Sequence, residues 1–312
     1  MNDLSVKIIL CTYNGEKHII EQLESIKKQT YRNWHIEIYD DVSEDNTVHL
    51  LNKFKKENNN LDIKIIQNDH NQGYYLNFIN AILNTHNFSN LICFSDQDDY
   101  WLPTKIQRFV EEYKKNTKVP FLYFSRRFIT TENLKKLYIS PSKYNYPITF
   151  PHVFIQNLAG GNTIAICSNF LSLFQKLKYP NIFTIHDWQL LVMATSVEDC
   201  KICFDREPTI LYRQHGNAAV GELFTLKKLY TDFCKIIFLR KKAEIDQRIN
   251  FFLKNKEHFS KKQISYIKKI RNYRLKSFIG RLIHIKQINF TFYRFNFFKR
   301  ALWILFVLLG IF

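Results

Sequence analysis

Residues Ser95 to Trp101, Ser-Asp-Gln-Asp-Asp-Tyr-Trp, set three carboxylates, Asp96, Asp98 and Asp99, directly after the apolar run Leu91-Ile92-Cys93-Phe94. Like charges held this close repel one another unless something neutralises them. A hard divalent cation, Mg²⁺ or Mn²⁺, shared with a substrate diphosphate would do so, because such ions favour one or two protein carboxylates together with phosphate oxygens. A second reading needs no ligand: an acidic turn opening the next helix, with Asp99 as N-cap and Pro103 near the first turn. Local chemistry accommodates both. Two further polar clusters, Thr12-Tyr13-Asn14-Gly15 and Asp40-Asp41, follow strand-like segments, the first apolar and the second alternating.

The elements that must hold these clusters follow from hydrophobic periodicity. Val6 to Cys11, Trp34 to Tyr39, Asp62 to Ile66 and Asn90 to Ser95 read as strands. Between them Glu16 to Gln29, Thr47 to Glu57 and Tyr75 to Leu83 read as helices, the first carrying Ile19, Ile20, Leu23 and Ile26 on one face. This β-α-β-α-β-α-β order predicts a parallel sheet with helices on its faces, and ligands in such sheets bind at the carboxyl ends of the strands. All three polar clusters fall there, so they should converge on one crevice. From Val119 to Gln214 strand-like pieces (121 to 124, 163 to 167, 202 to 204, 209 to 212) mix with helical ones (169 to 177, 188 to 194), which predicts α+β structure completing the same domain.

The net charge of +17 is segregated. Residues 1 to 226 hold 24 Lys/Arg and 24 Asp/Glu, whereas residues 227 to 300 hold 21 Lys/Arg against four acids, 21 − 4 = +17. The expected division is therefore a neutral body, residues 1–220, and a basic helical region, residues 221–312. A basic region of this kind suits a polyanion, either nucleic acid or an anionic membrane face. Residues 301 to 312 are uninterrupted apolar and follow an aromatic stretch. A helix of that length covers about 18 Å, too short for a hydrocarbon core of roughly 30 Å. It has two readings, a dip into one leaflet or a core helix docked on the body. Polybasic charge beside an aromatic anchor is the two-signal pattern of peripheral attachment, which favours an anionic membrane surface over nucleic acid. No signal peptide is recognisable, and the six cysteines form no disulfide framework, so a cytoplasmic setting at the inner membrane face is expected.

With Cys11-Thr12-Tyr13-Asn14-Gly15, Tyr39-Asp40-Asp41-Val42-Ser43-Glu44-Asp45, the Asp96 to Pro103 segment, and His186-Asp187-Trp188 followed by Leu211 to His215, in that order, the chain resembles the family-2 glycosyltransferases of type A nucleotide-sugar-binding fold, rhamnosyltransferase-like members in particular. The resemblance runs from residue 5 to about residue 221. It implies a Rossmann-like, mostly parallel sheet flanked by helices. The activity it implies is inverting, metal-dependent transfer of a sugar, rhamnose being one candidate, from a nucleotide-diphosphate donor to a cell-surface glycan or lipid-linked oligosaccharide.

Carried over residue by residue, the resemblance implies that Cys11 and Tyr13 border the base pocket and that Asp41 accepts from the base, with an Asx-turn as the competing role for Asp41. Val42 departs from the small or polar residue usual at its position. Asp96 would contact ribose or metal and Asp98 would coordinate the cation; His215 would add a metal or phosphate contact, or be a plain surface histidine. Arg213 would clamp phosphate or merely be solvated. Asp187 would be the general base, the alternative being an N-cap, and Gly161 with Gly160 and Asn162 would approach the donor sugar. Asn71-Gln72-Gly73 is either a donor-side loop or a simple turn. A different class, a non-catalytic protein binding anionic surfaces through its basic tail, uses none of these roles.

Overall fold

The computed structural model describes residues 4–85, 90–116, 118–141, 148–178, 185–214 and 240–284. Its first strand, β1 (Val6–Thr12), is buried along its whole length, as a strand paired on both edges and covered on both faces must be. β2 (Trp34–Asp40) and β4 (Leu91–Ser95) flank it, both parallel, and β3 (Ile63–Gln67) extends the sheet beyond β2. Helices α1 (Ile19–Lys27), α2 (Thr47–Glu57) and α3 (Tyr74–Leu83) form the crossovers. In α1 the buried Ile19, Leu23 and Ile26 repeat at helical spacing, which is why the segment folds as a helix against the sheet. Lys7, the one cation inside β1, is buried and paired with Glu37 of β2 at 3.1 Å.

Register decides where the polar clusters go. Thr12 pairs with Asp40 and Leu10 with Ser95, so β1, β2 and β4 end on one edge of the sheet and release their loops side by side. The predicted convergence of three clusters is thus a matter of strand alignment.

Beyond β4 the sheet becomes mixed, in the order β3-β2-β1-β4-β8-β6-β9-β5, with β7 paired to β6. β8 (Ala165–Cys167) runs antiparallel to β4, so the turn before it, Gly161–Thr163, lies at the carboxyl edge. β6 (Phe121–Thr130) is antiparallel to β8 and parallel to β9 (Lys201–Arg213), and the pairing of Thr130 with Arg213 brings both ends to the same edge. The two short strands expected at 202–204 and 209–212 are one strand, with register shifts around Arg126 absorbing the irregular Asp205 to Pro208 segment. β5 (Tyr100–Trp101) and β7 (Lys136–Ser140) have no counterpart in the periodicity, the first for its brevity and the second because Leu137 and Tyr138 face solvent.

Asp99 is not the N-cap of the helix that follows it. α4 (Lys105–Lys114) takes Thr104 at that position, and Asp99 is fully buried. Helices α5 (Phe150–Ile155), α6 (Ser168–Gln175) and α7 (His186–Ala194) complete the body.

The described part of the basic region is α8 (Arg240–Lys254), α9 (Lys261–Arg274) and α10 (Phe278–His284). α8 and α9 share the hydrophobic core of the body: Phe252 of α8 meets Phe150 of α5 edge-on at 5.4 Å between ring centroids, and Ile264, Ile267 and Ile270 of α9 are buried. Ser260 caps α9 by accepting from the Gln263 N–H, while its own N–H donates to the Ser196 carbonyl at 2.9 Å. Lys261, Lys262, Lys268 and Lys269 stay on the exposed face, so the helix buries its isoleucines and displays its charge. No helix among the described residues is long and apolar enough to cross a membrane. The apolar segment 301 to 312 lies outside the described residues.

Candidate active site

The loops at the carboxyl edge enclose a cleft of about 870 Å³ lined by Cys11, Tyr13, Asp41, Asp96, Asp98, Gly161, Asp187 and Arg213 among others. These eight therefore share one hollow, whereas Asp99 and the Asn71-Gln72-Gly73 turn lie outside its lining, and His215 lies outside the described residues.

One wall is built from the loops after β1 and β2. The Asp40 carboxylate accepts from Thr12 Oγ1 at 2.8 Å and from the Ser43 N–H at 2.9 Å and hydroxyl at 2.5 Å. Asn14, in left-handed backbone with φ 48°, takes the Ser43 hydroxyl on its N–H and accepts from the Glu44 N–H at 2.8 Å. The Gly15 N–H donates to Thr47 Oγ1. Val42 has φ 64°, an outlier for a β-branched residue and the cost of closing this loop without a glycine. Asp41 is 1% exposed and receives Asn68 Nδ2 at 2.7 Å and the N–H groups of Gln72 and Gly73 at 2.9 and 2.8 Å. It anchors the Asn71-Gln72-Gly73 turn, at which α3 begins. Tyr13 is held from the other side: Gln97 accepts from its N–H at 2.9 Å and donates to its carbonyl at 3.0 Å. A side chain at Gly15 would strike Gln97, so the glycine is what lets the clamp close.

The acidic loop after β4 forms the floor. Asp99 is buried and receives Asn162 Nδ2 and, at 3.4 Å, the Arg213 N–H. Burial, then the neighbouring Asp98 and Asp96 charges, hold its carboxyl far above the ordinary carboxylate range. Asp96 is also raised, by burial first, then by Asp98 and Asp187. Beneath them Lys105, itself buried, donates to the Asn162 carbonyl at 2.8 Å and sits 4.7 Å from the Trp101 ring centre; burial lowers it to about 8. Arg213 was expected either to offer its guanidinium to phosphate or to be a solvated charge, and it is 4% exposed. Here its donors go to the Asp98 carbonyl at 2.8 Å, the Glu132 carbonyl and the Glu21 carboxylate, tying the acidic loop to two other elements.

The opposite wall comes from the Gly160–Thr163 turn and the start of α7. Asp187 sits in the first turn of α7, inside the cap position, which is Ile185. Its Oδ1 accepts from the Trp188 N–H at 2.6 Å, and Asn157 and the Gly161 N–H also donate to it. Burial nevertheless dominates and pushes its pKa up to about 6. Arg127 lowers Asp96, Asp99 and Asp187 alike and lies 4.3 Å from the Tyr212 ring centre. It and Lys105 were missed in the sequence. The Arg126-Arg127 pair interrupting an apolar strand was the available signal for Arg127; nothing marked Lys105.

The arrangement gathers clustered acids, which favour a neutralising partner, and on the far side a carboxyl whose raised pKa lets it take a proton. The glycosyl transferase family 2 model matches residues 7–182, more than half of the chain. The chain belongs to glycosyl transferase family 2. Among its family-2 relatives, the dTDP-rhamnosyl transferase RfbG of Shigella flexneri is 32% identical over 71% of this chain and 76% of its own length. The glucosyltransferase WfgD of Escherichia coli, which uses UDP-Glc on an α-D-GlcNAc-diphosphoundecaprenol, is 30% identical over 47% of this chain and 55% of its own length. Among solved structures, Staphylococcus aureus TarS with UDP-GlcNAc superposes with a TM-score of 0.56 at 14% identity, covering 85% of this chain and 70% of that one. A Pyrobaculum calidifontis mannosyltransferase with GDP-Man and Mn²⁺ gives 0.54 at 10% identity, covering 100% and 86%. These likenesses show the type A glycosyltransferase fold. The family-2 assignment makes this chain a glycosyltransferase, and the non-catalytic reading of its basic tail gives way to it.

Proposed function

We propose that this family-2 glycosyltransferase is an inverting, cation-dependent enzyme that moves a sugar from a nucleoside diphosphate to a cell-surface glycan or lipid-linked acceptor. Rhamnose is the first candidate, because a relative matched over 76% of its length is named for dTDP-rhamnosyl transfer. The observation that carries the reading is that Asp187 lies in the same cleft as Asp96 and Asp98.

Asp187 is the base in this reading. A general base works best with a pKa near the operating pH, and burial brings this carboxyl to about 6. The acceptor hydroxyl oxygen attacks the anomeric carbon as its proton passes to Asp187; the bond from that carbon to the diphosphate oxygen breaks, and its electron pair leaves with the nucleotide. Attack opposite the leaving group inverts the anomeric centre.

Asp96 and Asp98 suit a divalent cation. No group of three ligating side chains exists among the described residues, and two carboxylates completed by diphosphate oxygens is the set a hard cation uses. When bound it would neutralise charge on the leaving diphosphate, and His215 is a further candidate contact. Tyr13, 45% exposed at the cleft, supplies a face for base stacking beside Cys11. Asp41 accepts from three donors, the Gln72 N–H being shared between both of its oxygens, so a bond from the base would take the place of one half of that shared contact. Arg213 serves by holding the acidic loop.

The chain divides in this reading into a catalytic body, residues 1–220, and a basic region, residues 221–312, that meets an anionic membrane surface from the cytoplasmic side. The support is the apolar exposure of Leu275, Phe278, Ile279, Leu282 and Ile283 beside Lys276 and Arg281. Calorimetry with a panel of nucleotide sugars, with and without Mn²⁺ or Mg²⁺, followed by assay of nucleoside diphosphate release, tests the proposal. Cation-dependent binding of one donor is expected; no binding under either condition would end the reading.

A further inference from the structure

Among the described residues, two polar groups in the far wall of the cleft have no hydrogen-bond partner. His186 is 3% exposed, and neither Nδ1 nor Nε2 meets a donor or acceptor. Asn162 is 1% exposed; its Nδ2 donates to Asp99, whereas its Oδ1 has no hydrogen-bond partner among the described residues. Both residues line the cleft. Gly161 separates them, and a Cβ there would stand 2.6 Å from His186 Nε2. The imidazole stacks on Phe78, with ring centres 4.0 Å apart and planes at 21°, and lies 5.9 Å from Phe94.

Such a site is expensive for the protein alone. A buried polar group left unsatisfied costs about 1–3 kcal/mol, and a third phenyl ring would fill the slot against Phe78 and Phe94 without that cost. Burial lowers the imidazole to about 3, so at physiological pH it is neutral, one nitrogen donating and the other accepting. A neutral donor and acceptor pair beside acids suits an uncharged hydroxylated ligand; phosphate or carboxylate would call for a cation. Position narrows the choice further. Asn162 is bonded into the acidic loop and His186 adjoins Asp187, so the two span the gap between the leaving diphosphate and the base.

We propose that His186, with Asn162 Oδ1 as companion acceptor, forms a subsite that reads hydroxyl groups of the transferred sugar. The inference rests on the proposed function and adds specificity-determining residues to it. The imidazole exchanges a donor and an acceptor with the sugar, and Gly161 is side-chain-free so that the ring can reach the cleft.

The test compares each sugar nucleotide with its bare nucleotide, using dTDP-rhamnose against dTDP and UDP-glucose against UDP, by calorimetry in Mn²⁺. In the wild type the sugar should strengthen binding of one pair. His186→Phe should weaken that sugar nucleotide about tenfold while leaving the bare nucleotide within about twofold, and His186→Gln, which keeps a donor and an acceptor, should retain most of the sugar increment. A structural histidine gives the reverse order, because Phe keeps the stacking and Gln does not. His186→Leu is the second apolar variant should Phe fail to fold. Equal weakening of both ligands by the apolar variant, or no change in either, overturns the subsite. If the wild type binds the bare nucleotides with no increment from either sugar, only the subsite falls; if it binds no nucleotide at all, the proposed function falls with it.

Discussion

The two walls of the cleft treat their polar groups in opposite ways. On the wall formed by the loops after β1 and β2, Asp40, Asp41, Asn14, Ser43 and Thr47 are bonded to one another and to backbone. On the wall formed by the Gly160–Thr163 turn and α7, His186 and Asn162 keep atoms unpaired among the described residues, and burial raises the Asp187 pKa to about 6. The first wall is finished before any ligand arrives, as a fixed cradle should be. The second carries a cost that a substrate can relieve, the pattern expected where chemistry and selectivity are concentrated.

Substitutions can sharpen this contrast. The largest effect is expected from Asp187→Asn, which should lower kcat by about 10³-fold or more while donor affinity stays unchanged, read by turnover and calorimetry. Asp98→Asn should lower turnover by about 10²-fold and remove the dependence of donor binding on Mn²⁺, which titration with the metal would reveal. On the laced wall the effect should fall on folding instead: Asp41→Ala leaves Gln72 and Gly73 N–H groups without their acceptor and should cost about 2–3 kcal/mol in chemical denaturation. If Asp41→Ala proved as stable as the wild type, the laced wall would not be the rigid one.

Titration of Asp187 separates activity from stability. As a base it must be ionised, so kcat/KM should fall about tenfold for each pH unit below about 6. Its contribution to folding runs the other way. Its folded pKa lies above the unfolded value near 3.9, so its stabilising contribution is full below about 3.9 and is lost as pH rises through about 6. Removing that carboxylate should flatten this part of the stability profile, measurable by thermal melts across pH. The smallest effect is expected from Val42→Gly: relief of the positive φ, offset by the greater freedom of glycine when unfolded, should stabilise the protein by about 1 kcal/mol or less.

The same division governs what could be read from the sequence. The parallel half was legible because β4 opens on a continuous apolar run, β1 is interrupted only by Lys7 before its polar end and β2 alternates, each helix repeats its apolar residues at helical spacing, and every polar cluster follows a strand directly. The antiparallel half hid its site. β8 is three residues long and approaches the cleft with its leading end, so the turn that matters precedes the strand. Lys105 and Arg127 reach the acids only through the packing of α4 and β6, which no local pattern records. His186 and Asn162 stood inside recognisable motifs, yet nothing in the letters shows that their polar atoms lack partners. Asp99 looked like a helix cap because a buried acid and a capping acid are the same letter.

The contact between Gly161 and His186 also constrains how this protein can change over time. A side chain at 161 would have to displace the imidazole. Position 161 therefore cannot drift by itself, so a lineage that gains a side chain there should exchange His186 at the same time.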